Sequence, residues 1–204
     1  MIKQMNRKFI LTEIIVLLIV FTACDFLNSN QDFEPTGNSF TLNPNIELIQ
    51  IQASRVQFNP SGTFSLDFIC QSKSPNVETA TLPAGLFFLA QNKKVQNTII
   101  VKDYKISASN LVDTFSIGTF SVNEFKAVPG DSDFYNIGPI TDHTDLLRII
   151  AIVKGKKLDA SNVMTVQHAI YQVTSDDSLG QVMLDSLENL PDSTPPLLAK
   201  VKKH

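Results

Sequence analysis

Two cysteines, three histidines and a scatter of carboxylates are the side chains that could do chemistry in this chain of 204 residues. A thiolate is a nucleophile, a metal ligand or an acylation site, and the two thiols sit in different surroundings. Cys24 closes an apolar run and is followed at once by polar chain. Cys70 lies in Asp67-Phe68-Ile69-Cys70, whose apolar neighbours predict a buried strand residue without a redox role. His143 with Asp145, and Asp131 with Asp133, have spacings at which a metal ion or Ca²⁺ can be met. Neither pair has further ligands at useful spacing, so they read as caps and a solvated turn, and no metal is expected. His168, before Ala169, reads as a partly exposed helix residue, and His204 ends the sequence, which leaves few general bases for hydrolysis. No Gly-rich phosphate loop, Cys-x-x-Cys pair or Ser or Cys triad can be placed, and no cofactor is expected.

The segment that positions Cys24 is a leader. Lys3, Arg7 and Lys8 precede an uninterrupted apolar run over 14–21, then small residues. That order is the pattern of a secretory signal. The run is shorter than the ~20 residues a membrane-crossing helix needs. Phe21-Thr22-Ala23-Cys24 resembles the lipobox of bacterial lipoproteins. The resemblance implies cleavage of residues 1–23, a diacylglycerol on the Cys24 sulfur and acylation of the new amino group. Several acyl chains, at about 0.8 kcal/mol per buried methylene, hold a protein stably on a bilayer. The implied address is the cell envelope, on the outer membrane of a bacterium. Residues 24–38 then read as a flexible polar tether.

Composition narrows the function classes. The formal charge is −3, and the leader carries more positive than negative charge, so the remainder is more acidic still. Nucleic-acid binding, which needs clustered Lys and Arg, is not expected. The one basic cluster, at Lys200, Lys202 and Lys203, reads as part of a loose tail over 192–204. Many apolar and few charged residues describe a globular domain.

Over 39–128 the pattern is strand-like. Ile46-Glu47-Leu48-Ile49-Gln50-Ile51-Gln52 nearly alternates, and so does Thr63-Phe64-Ser65-Leu66-Asp67-Phe68-Ile69-Cys70. Asn59-Pro60-Ser61-Gly62 is a turn between them. Further strands are predicted over 77–82, 86–90, 98–102, 104–108 and 114–122. Short strands at regular spacing predict an antiparallel β-sandwich. After Pro129-Gly130-Asp131-Ser132-Asp133 the period changes, and a helical half over 129–191 is predicted to pack on the strands. Its first helix carries Leu146, Leu147, Ile149, Ile150 and Val153, with Asp142 and Asp145 at its positive end and Gly155 closing it. The second runs over 160–173, and the third over 179–190 with Ser178 as N-cap and Pro191 as stop. The fold class is therefore α+β.

Thr165-Val166-Gln167-His168-Ala169-Ile170-Tyr171 resembles the Gln-x-Ala-Ile-Trp segment of thioester domains in bacterial surface adhesins. Thr119-Phe120-Ser121-Val122-Asn123 corresponds to the family's earlier element, an aromatic residue and a Cys at a strand end. Tyr135-Asn136-Ile137-Gly138-Pro139-Ile140 is in keeping with the chain between them. In that family a Cys thiol attacks the Gln carboxamide, expels ammonia and leaves a buried thioester, which a surface amine then opens. Here Ser121 stands where the resemblance puts the Cys, and Tyr171 replaces the Trp. A hydroxyl has far too little alkoxide at neutral pH to react unaided. Ser121 and Gln167 are thus expected to be a vestigial pair with no catalytic role, Gln167 hydrogen-bonding across to the strand of Ser121. The alternatives are a Ser121–Gln167 ester, a hydrolase whose site is not evident, and a structural subunit of an envelope complex. The expected partners are the membrane, through the anchor, and a protein or glycan surface.

Overall fold

Strand alternation builds the domain. In Phe64–Ser72 (β3) it puts Leu66, Phe68 and Cys70 on one buried face. In Leu86–Ala90 (β5) it sends Phe87 and Phe88 to opposite faces, and both are fully buried. A sheet that is apolar on both faces must be covered twice, and the rest of the chain supplies two covers. The computed structural model describes residues 32–54, 61–175 and 178–193.

The remaining strands are Gly37–Asn38 (β1), Ile46–Ala53 (β2), Glu78–Leu82 (β4), Thr98–Ile99 (β6), Tyr104–Ala108 (β7), Asp113–Ser121 (β8) and Tyr135–Thr141 (β9). Seven form one antiparallel sheet in the order β1-β9-β5-β6-β8-β3-β2, and β4 pairs with β7 in a second sheet. The small sheet covers the inner face, adding Leu82, Ile106 and Ala108 to a core with Ile51, Leu66, Phe68, Leu86, Phe88 and Ile117. The large sheet also curls on itself. Gln52 at the end of β2 bridges Phe134 just before β9, and the Ala53 N–H donates to the Asp133 carbonyl at 2.9 Å.

Three helices cover the outer face: Thr144–Val153 (α1), Val163–Thr174 (α2) and Gln181–Glu188 (α3). Their apolar stripes, among them Leu146, Ile149, Val153, Val166, Ala169, Ile170, Leu184 and Leu187, close on Phe87, Ile99, Val101, Phe120 and Val122. The fold is α+β and sandwich-like, with the helices after the last strand.

Several expected boundaries shift. The stretch 129–191 is not all helical, because β9 lies inside the large sheet between β1 and β5. Its Gly138 and Pro139 hide the alternation. Ile140 pairs with Leu86 and Ile137 with Phe88, so Gly138 and Pro139 face Phe87 in a bulge, where Pro139's missing N–H breaks no regular ladder. Gly138 sits close-packed there, since a Cβ would lie 3.0 Å from the Phe87 and Leu89 side chains and they would have to shift.

The tether does not extend to residue 38. Phe33 packs 6.0 Å from the Phe87 ring, its carbonyl accepts from Asn123 Nδ2 at 2.9 Å, and β1 pairs with β9. At α2, Asn162 Oδ1 accepts from the Asp159 N–H and Asp159 Oδ1 from the Ser161 N–H, which holds 159–162 as a turn and delays the helix to Val163. At α3, Gly180 is the N-cap in place of Ser178. Asp192 and Ser193 are not tail: Lys156 Nζ pairs with Asp192 Oδ1 at 2.8 Å, and the Ser193 N–H donates to the Gly155 carbonyl. Residues 194–204 lie outside the described residues.

Candidate functional site

Where β3 gives out, Gln167 takes its place beside β8. Phe64, the first residue of β3, pairs with Thr119. Just before it the chain crosses β8 at Gly62, so closely that a Cβ would lie 2.3 Å from the Thr119 nitrogen. Only glycine passes there, and the crossing leaves Ser121 without a ladder partner on that side. Gln167, buried on α2, fills the position. Its Nε2 donates to the Ser121 carbonyl at 2.8 Å, and the Ser121 N–H donates to its Oε1 at 2.9 Å. Thr63 Oγ1 donates to the same Oε1 at 2.6 Å. A side-chain carboxamide thus stands in for a peptide group and continues the ladder.

The sequence-expected pair is therefore brought together, but through the backbone of Ser121. Phe120 and Val122 belong to the core under the helices, so strand alternation turns the Ser121 side chain to the other face. Its Oγ is buried and has no hydrogen-bond partner among the described residues. The same holds for Thr119 Oγ1 and for Thr98 Oγ1, whose residue pairs with Ser121 across β6 and β8. No base reaches this hydroxyl among the described residues. Thr63 opens the alternating run read as a strand, but nothing in that pattern singles it out as a partner of Gln167. Tyr171 ties α2 to the β5–β6 connection, its hydroxyl accepting from Gln96 Nε2 at 3.4 Å.

Cys70 is fully buried opposite Asp113 on β8. Burial, and secondarily the Asp113 carboxylate, push its thiol up to about 11, which favours the protonated form at neutral pH. His143 is the N-cap residue of α1 and meets the Phe33 ring edge-on at 6.1 Å. Asp133 Oδ2 accepts from the Gly130 N–H at 2.7 Å, closing a turn. His168 is exposed on α2. Among the described residues no three His, Cys, Asp or Glu side chains gather as a metal site would need. Cys24 lies outside the described residues.

A second feature gave no sequence signal. Between β2 and β9, beyond the Gln52–Phe134 bridge, the two strand edges diverge around a slot of about 420 Å³. Amide and apolar side chains line it, among them Gln50, Gln91, Asn136, Ile49 and Phe134.

No protein-family model, curated protein or solved structure matches this chain.

Proposed function

We propose that this is an exported, lipid-anchored protein of the bacterial cell envelope with a non-catalytic binding or adhesion role. The observation that carries the non-catalytic part is the way Gln167 meets Ser121. Its carboxamide is spent on the strand's N–H and C=O, and the Ser121 hydroxyl points to the opposite core. An amide held as a ladder rung is a structural clamp. The envelope part is supported by the charged leader and by Phe21-Thr22-Ala23-Cys24, and the acyl chains on Cys24 would make the membrane the first partner.

A second reading draws on the Ser121 Oγ, which has no hydrogen-bond partner among the described residues. In it Oγ attacks the Gln167 Cδ, an ester bond forms, the C–N bond breaks, and the hydroxyl proton leaves with the amine as ammonia. Intact-mass measurement separates the two. The clamp predicts the full mass, and a mass lower by one ammonia means the ester reading is right. For the anchor, cells are labelled with a fatty-acid analogue. The wild type should carry the label in the membrane fraction and Cys24→Ala should not. An unlabelled wild type recovered from the cytosol would overturn the envelope reading.

A further inference from the structure

The slot between β2 and β9 has the chemistry of a carbohydrate site. β2 is the last strand of the large sheet, and β1 covers β9 only at Ile140 and Thr141. The two edges therefore face each other with their ladder unmade from Tyr135 to Pro139. The slot is closed at one end by the Gln52–Phe134 bridge. At the other end the chain crosses from β1 on β9 to the start of β2, seating Phe40 and Leu42 on the inner core.

No carboxylate, ammonium or guanidinium lines the slot among the described residues. A charged ligand would find no counter-charge on these walls. What the walls do offer is amides. Gln91 Nε2 donates to Asn136 Oδ1 at 3.2 Å, leaving Gln91 Oε1 and Asn136 Nδ2 as an adjacent acceptor and donor. Gln50 Nε2 donates to Gln52 Oε1 at 2.6 Å, so Gln50 keeps its own acceptor on the facing wall. Paired donors and acceptors suit vicinal hydroxyls, which are both at once. Phe134 is 38% exposed, and a ring face, negative at its centre, attracts the C–H face of a sugar. The volume falls in the usual range for small-ligand sites. An added peptide strand fits less well. β9 offers only five residues, of which Pro139 has no N–H.

We propose that this slot binds a neutral oligosaccharide, with Phe134 as the stacking platform and Gln50, Gln91 and Asn136 as the hydroxyl partners. The inference rests on the binding reading above and gives it a ligand class. The test is calorimetric titration of the full-length protein, in a sugar-free zwitterionic detergent, with cellohexaose, maltohexaose and chitohexaose. An acidic oligogalacturonate and an uncharged Val-Thr peptide are run alongside. At least one neutral sugar should bind saturably, and the acidic sugar and the peptide should not. Phe134→Ala should weaken binding about tenfold or more, and Asn136→Asp, at an exposed position and of equal size, should do so too. Val182→Ala on α3, outside the slot, should leave it unchanged. Heat evolved by none of the three neutral sugars, binding that survives both slot variants, or binding of the peptide instead would overturn the proposal. A wild type that takes the acyl label yet binds no sugar sinks this inference alone. A wild type that binds sugar but stays cytosolic and unlabelled sinks the envelope reading alone.

Discussion

Replacing Gln167 by alanine strands the Ser121 N–H and C=O where neither reaches water. A buried backbone group left unpaired costs about 1–3 kcal/mol, so Gln167→Ala should destabilise by roughly 2–4 kcal/mol. Ser121→Ala should do the reverse. It deletes a buried hydroxyl that has no partner among the described residues, and stability should stay level or rise by up to about 1 kcal/mol. Urea midpoints of the two variants should thus move in opposite directions. If Ser121→Ala proves as damaging as Gln167→Ala, the hydroxyl has a role the clamp does not give it. Cys70 offers a second residue-scale prediction. Its folded pKa is raised by burial, so the native state keeps its proton after the unfolded chain has released one. Stability from this group is complete below the ordinary thiol range and is lost as the pH rises toward about 11. The loss should be roughly 2–3 kcal/mol. Tyr135, also raised by burial, adds a loss of the same sign at higher pH. Urea unfolding at pH 8 and pH 10.5 should show the drop, and Cys70→Ala should flatten part of it.

At the scale of elements, the short N-terminal strand is the least expected piece. β1 has two residues, yet Phe33 ahead of it packs between Phe87 and His143. An aromatic half buried this way is worth about 1–2 kcal/mol, so Phe33→Ala should lower stability by that amount. A chain cut before residue 32 should keep its full stability, and one cut before residue 39 should lose more than Phe33→Ala does. Equal stability of both truncations would mean the segment is only a tether, as its polar composition suggests. Gly62 governs another junction. A Cβ 2.3 Å from the Thr119 nitrogen cannot be accommodated by a rotamer change, because the obstacle is backbone. Gly62→Ala should therefore cost about 3 kcal/mol or more, read as a lowered melting temperature.

Taken whole, the domain has two cores that share one sheet. β5 and β8 each place residues on both sides, Phe88 and Ile117 inward and Phe87 and Phe120 toward the helices, while Ile99 of β6 faces the helices and Ile100, just after it, faces inward. Neither core can open without baring the sheet's other face. Unfolding should therefore be a single transition, with far-UV circular dichroism and tyrosine fluorescence coinciding along the urea axis. Two separated transitions would mean that the helix layer is an independent unit. Among the described residues the one cysteine, Cys70, is packed in the shared sheet as an apolar residue.

Much of this was legible in the residues. Strands β2 to β8 follow from alternation and turn residues, and the three helices follow from their apolar stripes, because both signals are local periodicities. Gln167 could be singled out and matched with the strand of Ser121. Local pattern could not say that they meet through backbone atoms, because that depends on where β3 stops and on the close crossing at Gly62. Nor could it place β9, whose alternation is broken by a bulge that makes sense only beside β5. The slot between β2 and β9 is the furthest from sequence. Its walls are more than 80 residues apart in the chain, and only the curl of the sheet brings Gln52 to Phe134. The sequence by itself determined the periodic elements, the mild acidity and the expected address at Cys24. The tertiary structure alone decided which backbone groups stay unpaired and which side chains face each other, since both depend on contacts between distant segments.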